Sequence, residues 1–161
     1  MTSHEVPAAP WDRPDLVALA LAMDHSHRTL LGSRLTQEPS TDPLATAERL
    51  YGAEFALLCH DGGADPVFIY ANLTAQRLWH LSWDEFQGMP SRLSAESDAR
   101  AVRAAMLARV DRDGYVDDYA GVRVDSRGRR FRIEGACIWN VEAAGVRLGQ
   151  AARIDRWSPV V

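Results

Sequence analysis

The residues best suited to chemistry are two cysteines and a glutamine. A redox-active thiol needs exposure and a nearby positive charge, and Cys59, beside His60 at the end of a predicted strand, is the redox candidate. Gln150 is in phase with apolar residues of the last predicted strand. A buried amide must be hydrogen-bonded, so we expect Gln150 either to bond internally, to Tyr70, Asn72 or the backbone, or to contact a ligand.

Large aromatic side chains near these residues predict either a packed core or the walls of a ligand cavity. A ligand pocket is mostly apolar and contains a few well-placed polar groups. The predicted ligand-binding residues are Tyr70, Trp79, Trp83, Cys137, Trp139 and Gln150. This prediction requires Trp139 and Gln150 to face the same layer of helices.

The sequence offers little support for catalysis or for a metal site. His25 and His27 are two residues apart on a predicted helix, so their side chains point in different directions. Asp117 and Asp118 are adjacent on a predicted strand and therefore face opposite ways. The motifs G-x-S-x-G and H-E-x-x-H and a phosphate loop are not present in the sequence. We predict no catalytic or metal-binding residues; a small α+β enzyme acting on a hydrophobic substrate in the same cleft is the alternative hypothesis.

Charge and composition restrict the partners. The 161 residues carry a net charge of -4, which argues against binding to nucleic acid or to an anionic membrane surface. The basic turn Arg127–Arg132 is typical of a solvated hairpin. Two cysteines do not form a disulfide framework, so we expect a reducing, cytoplasmic compartment. No signal peptide is recognised, and the longest apolar run, Leu16–Met23, is too short to span a bilayer.

The N-terminal quarter is predicted to be an arm, a helix and a linker. The helix should begin at Pro14 and end at Leu31, before Gly32. We therefore divide the chain into residues 1–43, the arm, amphipathic helix and linker, and residues 44–161, a single folded domain. The apolar face of the helix must either cover the sheet or pair with a second copy, which predicts a homodimer as one of the two arrangements.

The remaining residues predict an α+β fold. A hairpin begins near Phe55, Asn72 can cap the next helix, and Ser82 with Glu85 forms a capping box. A long helix follows and ends before Gly114. This order predicts a five-stranded antiparallel sheet with helices on one face.

Three strands are predicted to close the sheet. They span Val116–Asp125, Phe131–Val141 and Val146–Trp157. Strict alternation along the middle strand places a set of six residues on one face. These are Phe131, Ile133, Gly135, Cys137, Trp139 and Val141.

Five ordered motifs between Leu44 and Ile154 resemble the MEKHLA domain. They are H-D-G-G-A-D-P-V-F-I-Y-A-N, L-W-H-L-S-W-D-E-F, P-S-R-L-S-A-E, D-D-Y-A-G-V-R-V and R-R-F-R-I-E-G-A-C-I-W-N. That family has a PAS-like fold and occurs as small bacterial or algal proteins and as the C-terminal domain of plant homeodomain-leucine zipper factors. The resemblance implies a ligand- or redox-responsive regulatory module, and it supplies no catalytic residues.

The PAS-like fold also bears on disulfides and cofactors. Its strand order, 2-1-5-4-3, implies one strand between Cys59 and Cys137, or about 9 to 10 Å, which is too far for a disulfide. Flavin-binding relatives carry the motif N-C-R-F-L where this chain has G-M-P-S-R-L-S, without a cysteine. Haem-binding relatives present a histidine from the long helix, and the predicted helix Ser94–Asp113 has none. Neither flavin nor haem is expected, and the cofactor is left unknown.

The leading hypothesis is a stand-alone PAS-like sensory or regulatory module. It would bind a small apolar or amphipathic ligand, or a partner protein, and would signal in trans, with dimerisation through the N-terminal helix as one route. A third hypothesis is a pure dimerisation module with a filled core.

Overall fold

An antiparallel sheet separates two layers of helices in the computed structural model, which describes residues 10–36, 41–95 and 100–161. Within these residues the strand order is β2-β1-β5-β4-β3, and β6 pairs with β4. The strands are β1 (Ala56–Asp61), β2 (Phe68–Ala71), β3 (Tyr115–Val124), β4 (Arg130–Ala143), β5 (Val146–Ile154) and β6 (Arg156–Pro159). The implied PAS-like order is confirmed, and the predicted last strand is divided at Asp155 into β5 and β6.

The helices agree closely with their sequence signals. They are α1 (Pro14–Leu31), α2 (Pro43–Tyr51), α3 (Leu73–Trp79), α4 (Trp83–Phe86) and α5 (Arg100–Asp113). Pro14 occupies the first turn of α1, and Gly32 ends the helix with a left-handed φ of 81°, as the sequence predicts. The capping box of Ser82 and Glu85 is present at α4.

Each face of the sheet is covered by its own helices. One side of the sheet, called the cavity face because it borders the cavity described below, is covered by α3 to α5. It is defined by three residues that are aligned across β1, β5 and β4, namely Leu58, Ala152 and Ile138. The opposite side, the α1 face, is defined by Cys59, Ala151 and Trp139 and is covered by α1 and α2. The predicted PAS-like sheet with an N-terminal helical extension is therefore confirmed, and the extension folds back onto the sheet.

Polar contacts hold α1 in place. The indole Nε1 of Trp139 donates to the backbone oxygen of Met23 at 3.1 Å. Ser26 Oγ accepts from the backbone N–H of Glu142 at 3.0 Å and donates to its carbonyl oxygen at 3.2 Å. The apolar side of α1, including Leu19 and Met23, is buried. In this arrangement the sheet, rather than a second copy, occupies the apolar face of α1.

A β-bulge changes the phase of β4. Tyr119 pairs with Ala136 and Gly121 pairs with Ile133, so two steps along β3 match three along β4. The extra residue lies next to Gly135, which has a φ of 60°, a value that favours glycine.

The bulge overturns the predicted alternation. Phe131 and Ile133 lie on the cavity face, whereas Cys137, Trp139 and Val141 lie on the α1 face. The prediction that these residues share one face is wrong, because one inserted residue moves every later side chain to the other side.

Asn72 links three elements from a fully buried position. Its Oδ1 accepts from the N–H groups of Leu57, at 3.0 Å, and Ala75, at 3.1 Å. Its Nδ2 donates to the carbonyl oxygens of Leu50, at 3.0 Å, and Phe55, at 2.9 Å. The predicted cap of α3 is thus also the joint between α2 and β1.

We expect Asn72→Ala to lower the free energy of unfolding by about 3 kcal/mol, because it leaves several buried backbone groups unpaired. The control is Ser82→Ala, which removes an exposed helix cap and should cost about 1 kcal/mol. Urea denaturation of both variants checks the prediction. Equal losses would contradict the joining role of Asn72.

Candidate functional site

A cavity of about 60 Å³ lies between the cavity face and helices α3 and α5. It is the place where a PAS-like fold can enclose a small molecule between sheet and helices. Apolar side chains form most of its wall. They include Leu58, Phe68, Trp79, Met106, Ile133 and Ile138.

Polar side chains enter the cavity from several elements. His60 of β1 and Gln150 of β5 are direct cross-strand partners. Arg103 comes from α5 and Arg123 from β3, and Ser91 lies at the same wall. The described lining residues include two arginines and no aspartate or glutamate, so the polar part of the cavity is positively charged.

Gln150 is held by neighbouring side chains. Its Nε2 donates to Asn140 Oδ1 at 3.1 Å and lies 3.4 Å from Asp111 Oδ1. Asp111 in turn accepts from Arg147 at 2.6 Å. The internal hydrogen bond expected for Gln150 exists, but with Asn140 and Asp111 rather than Tyr70 or Asn72.

His60 is a neutral acceptor rather than an acid. Burial lowers the pKa of its imidazole, and the charges of Arg103 and Arg147 also lower it, whereas the hydrogen bond to the Asp61 backbone and the Asp61 charge act in the opposite direction. Its Nδ1 lies 2.8 Å from the carbonyl oxygen of Asp61, which can only accept. Nδ1 therefore carries the proton, and Nε2 has an available lone pair.

The two arginines were missed by the sequence reasoning. Arg123 is only 6% exposed, and its guanidinium carbon lies 5.1 Å from the centre of the Tyr119 ring. Arg103 donates to Ser91 Oγ, and burial together with the charge of Arg123 lowers its pKa to about 10. The available signal was strand phase, which places Tyr119, Gly121 and Arg123 on one face.

The structure divides the six predicted ligand-binding residues between two cores. Trp79 and Gln150 line the cavity. The other four belong to, or pack against, the core on the α1 face. They are Tyr70, Trp83, Cys137 and Trp139.

The requirement that Trp139 and Gln150 face the same layer is therefore not met. Gln150 is the cross-strand partner of Asn140, whereas Trp139 pairs with Ala151 and contacts His27 on α1. Neighbouring residues on a strand face opposite sides, so the predicted juxtaposition is wrong.

The environment of the two cysteines disfavours thiolate formation. Cys59 is 1% exposed, and burial, with a smaller effect from Asp61, strongly raises the pKa of its thiol. This burial contradicts the exposure on which its redox candidacy depended. Cys137 is partly exposed, and burial raises its pKa to about 12. Both lie on the α1 face, separated by β5, as the strand order implied.

Metal-binding side chains do not converge in the part of the chain that the structure describes. No group of three or more His, Cys, Asp or Glu residues is placed to hold an ion there. His25 is exposed and His27 is buried against Trp139, so the two point apart as expected. Among the same residues, no helix has the length and apolar character needed to cross a membrane.

We expect Ellman's reagent to label Cys137 roughly 100-fold or more slowly than an unfolded thiol at pH 8, because little thiolate is present below a pKa of about 12. The rate should rise about tenfold per pH unit while the fold persists. In the Cys137→Ser variant, Cys59 should react only on unfolding. Rapid labelling of native Cys137→Ser protein would restore Cys59 as a redox candidate.

The comparisons with known proteins agree with this fold. The family model of the MEKHLA domain matches residues 17–159, nearly the whole chain and most of α1. A comparison with curated proteins found no significant match.

Solved structures of PAS and light-oxygen-voltage domains are similar at low identity. A PAS domain from Colwellia psychrerythraea has a TM-score of 0.58 at 14% identity, over 69% of this chain and 92% of that one. An RNA-binding light-oxygen-voltage receptor has a TM-score of 0.60 at 18% identity, over 74% of this chain and 36% of that one. The light-oxygen-voltage protein of Rhodobacter sphaeroides has a TM-score of 0.58 at 13% identity, over 67% and 62%. At these identities the similarity shows the fold alone.

Proposed function

Because the chain belongs to the MEKHLA domain family, we propose that it is a sensory module that binds a small amphipathic ligand in the cavity between the sheet and helices α3 and α5. The observation that carries the proposal is the cavity itself, with apolar walls and a few convergent polar groups. Such a combination is typical of small-molecule sites. The ligand-binding set then keeps Trp79 and Gln150 from the sequence prediction and adds Arg103 and Arg123.

The sheet offers a direct route from the cavity to α1. Ile138 faces the cavity, and the next residue, Trp139, bonds to Met23 of α1. A ligand that displaces Ile138 therefore moves the backbone that carries the anchor of α1. Because packed interiors deform little, such a displacement is passed on rather than absorbed.

Release of α1 is the proposed output. Its apolar side chains, which include Leu16, Leu19 and Met23, pack on the sheet and would be exposed once the helix leaves it. The exposed face would then bind a second copy of the chain or another protein, so that the signal acts in trans. A ligand drives this change only if it binds the released form better than the docked form.

The two alternatives from the sequence have weaker support. The cavity counts against a dimerisation module with a filled core. No described lining residue is a carboxylic acid, and the Nδ1 proton of His60 is used by the Asp61 carbonyl. No observation therefore favours an enzyme in this cleft.

We expect Ala152→Leu to abolish binding of a small apolar probe, because Ala152 lines the cavity and a larger side chain would fill it. Xenon is a suitable probe, since it enters apolar cavities, and xenon NMR measures its binding. Ala120→Leu is the matched control, because Ala120 is exposed on β3. Equal xenon binding by both variants, or none by the unaltered protein, would contradict a ligand-sized cavity at this site.

We expect Trp139→Phe to loosen α1, because it removes the indole donor to Met23 but keeps an aromatic ring. The loss should be about 1 kcal/mol of docking free energy, or roughly fivefold faster amide exchange in α1. Trp157→Phe on the exposed strand β6 is the control.

Light scattering of the same variants tests the dimer. A larger average mass for Trp139→Phe, rising with protein concentration, is the expected result. Faster exchange in α1 with an unchanged mass would reject pairing through this helix while leaving its docking on the sheet intact.

A further inference from the structure

The cavity contains a buried positive charge, and no carboxylate is among the described residues that line it. Arg123 is 6% exposed and cannot lose its proton at any physiological pH. Its guanidinium carbon lies 5.1 Å from the centre of the neutral Tyr119 ring. Nη1 has no partner among the described residues, although it is fully shielded from solvent. A buried charge in this state is costly, so the position is suited to an anionic partner.

Arg103 adds a second charge at the same place. It lines the cavity from α5, and, besides burial, the charge of Arg123 contributes to lowering its pKa. The acid whose charge acts on Arg103 is Asp65, which is bound by Arg92 at 3.2 Å on the surface. None of the described residues that line the cavity carries a negative charge to cancel that of the arginine pair.

The backbone makes room for this arrangement. Tyr119, Gly121 and Arg123 point to the same face of β3. A Cβ atom at Gly121 would lie 2.8 Å from the Tyr119 hydroxyl oxygen, so the missing side chain lets the phenol lie across the strand toward the guanidinium. The buried arginine is thus held in position by neighbours that do not neutralise it.

The remaining wall limits the rest of the ligand. Phe68, Met106 and Ile138 contribute apolar surface to the wall. The volume of about 60 Å³ corresponds to roughly four to six water-sized spheres. A molecule that fits has a single anionic end and a short apolar body.

From these observations, and resting on the proposed function, we infer that the ligand is a short-chain carboxylate whose charged group is bound by Arg123 and Arg103. A carboxylate accepts paired hydrogen bonds from a guanidinium in the plane of both groups. A tetrahedral phosphate would turn oxygens toward the apolar wall and leave them unpaired. Gln150 and His60 lie at the same wall and add no negative charge to it, so the hydrogen bonds to the carboxylate come from the two arginines.

The test is a titration with sodium acetate, propionate and butyrate at constant ionic strength. Its two readouts are the thermal unfolding midpoint and the amide NMR spectrum. We expect at least one of these carboxylates to raise the midpoint saturably and to shift amides of β3 and α5. Propionamide, which has the shape of propionate without its charge, should have no effect. Equal stabilisation by sodium chloride or phosphate, or no saturable effect of any carboxylate, would overturn the inference.

Substitution of the arginines makes the test specific. Arg123→Met should unfold at a higher temperature than the unaltered protein without ligand, because an unpaired buried charge is gone, and should lose the carboxylate response. Arg103→Gln, a substitution at a partly buried position, should weaken carboxylate binding roughly 10- to 100-fold. It provides the test if Arg123→Met does not fold. Arg112→Gln is the control, because Arg112 is an exposed arginine of the same helix. A carboxylate response that survives in both Arg123→Met and Arg103→Gln would overturn the inference.

The two proposals fail in different ways. Xenon binding that is blocked by Ala152→Leu, together with no carboxylate response, would leave a sensory cavity with a different ligand. Absence of both responses would remove the cavity as a binding site.

Discussion

The structure depends on the alternation of side chains along a sheet that is buried on both faces. From Ala136 to Val141, successive residues of β4 face the cavity layer and the α1 layer in turn. One inserted residue beside Gly135 sets this phase. The bulge therefore places Trp139 against a helix and Ile138 in the cavity wall. In this way it also sets the position of the site.

Local signals in the sequence predicted most of the fold because each has a local physical cause. Pro14 and Gly32 bound α1, and the capping box of Ser82 and Glu85 begins α4, through hydrogen bonds and dihedral preferences within a few residues. Asn72 shows the limit of such signals. Its cap was visible in the sequence, whereas its bonds to two other elements depend on tertiary packing.

The site was predicted less well, for two reasons. Alternation cannot reveal a bulge when both phases of a strand are largely apolar, as they are around Cys137 and Ile138, so the aromatic wall was assigned to the wrong side. Arg123 was missed because arginines are rarely buried, and in sequence it resembles any charged strand residue. Gln150 was found because an amide among apolar neighbours is unusual.

The unpaired guanidinium also bears on how long the protein persists in a cell. An empty form that carries the charge of Arg123 without a counter-ion opens more readily than an occupied form, and open chains are the substrates of cellular proteases. If the cavity binds an anion as we infer, the abundance of the protein would follow the supply of that anion, and its turnover would itself record whether the cavity has been filled.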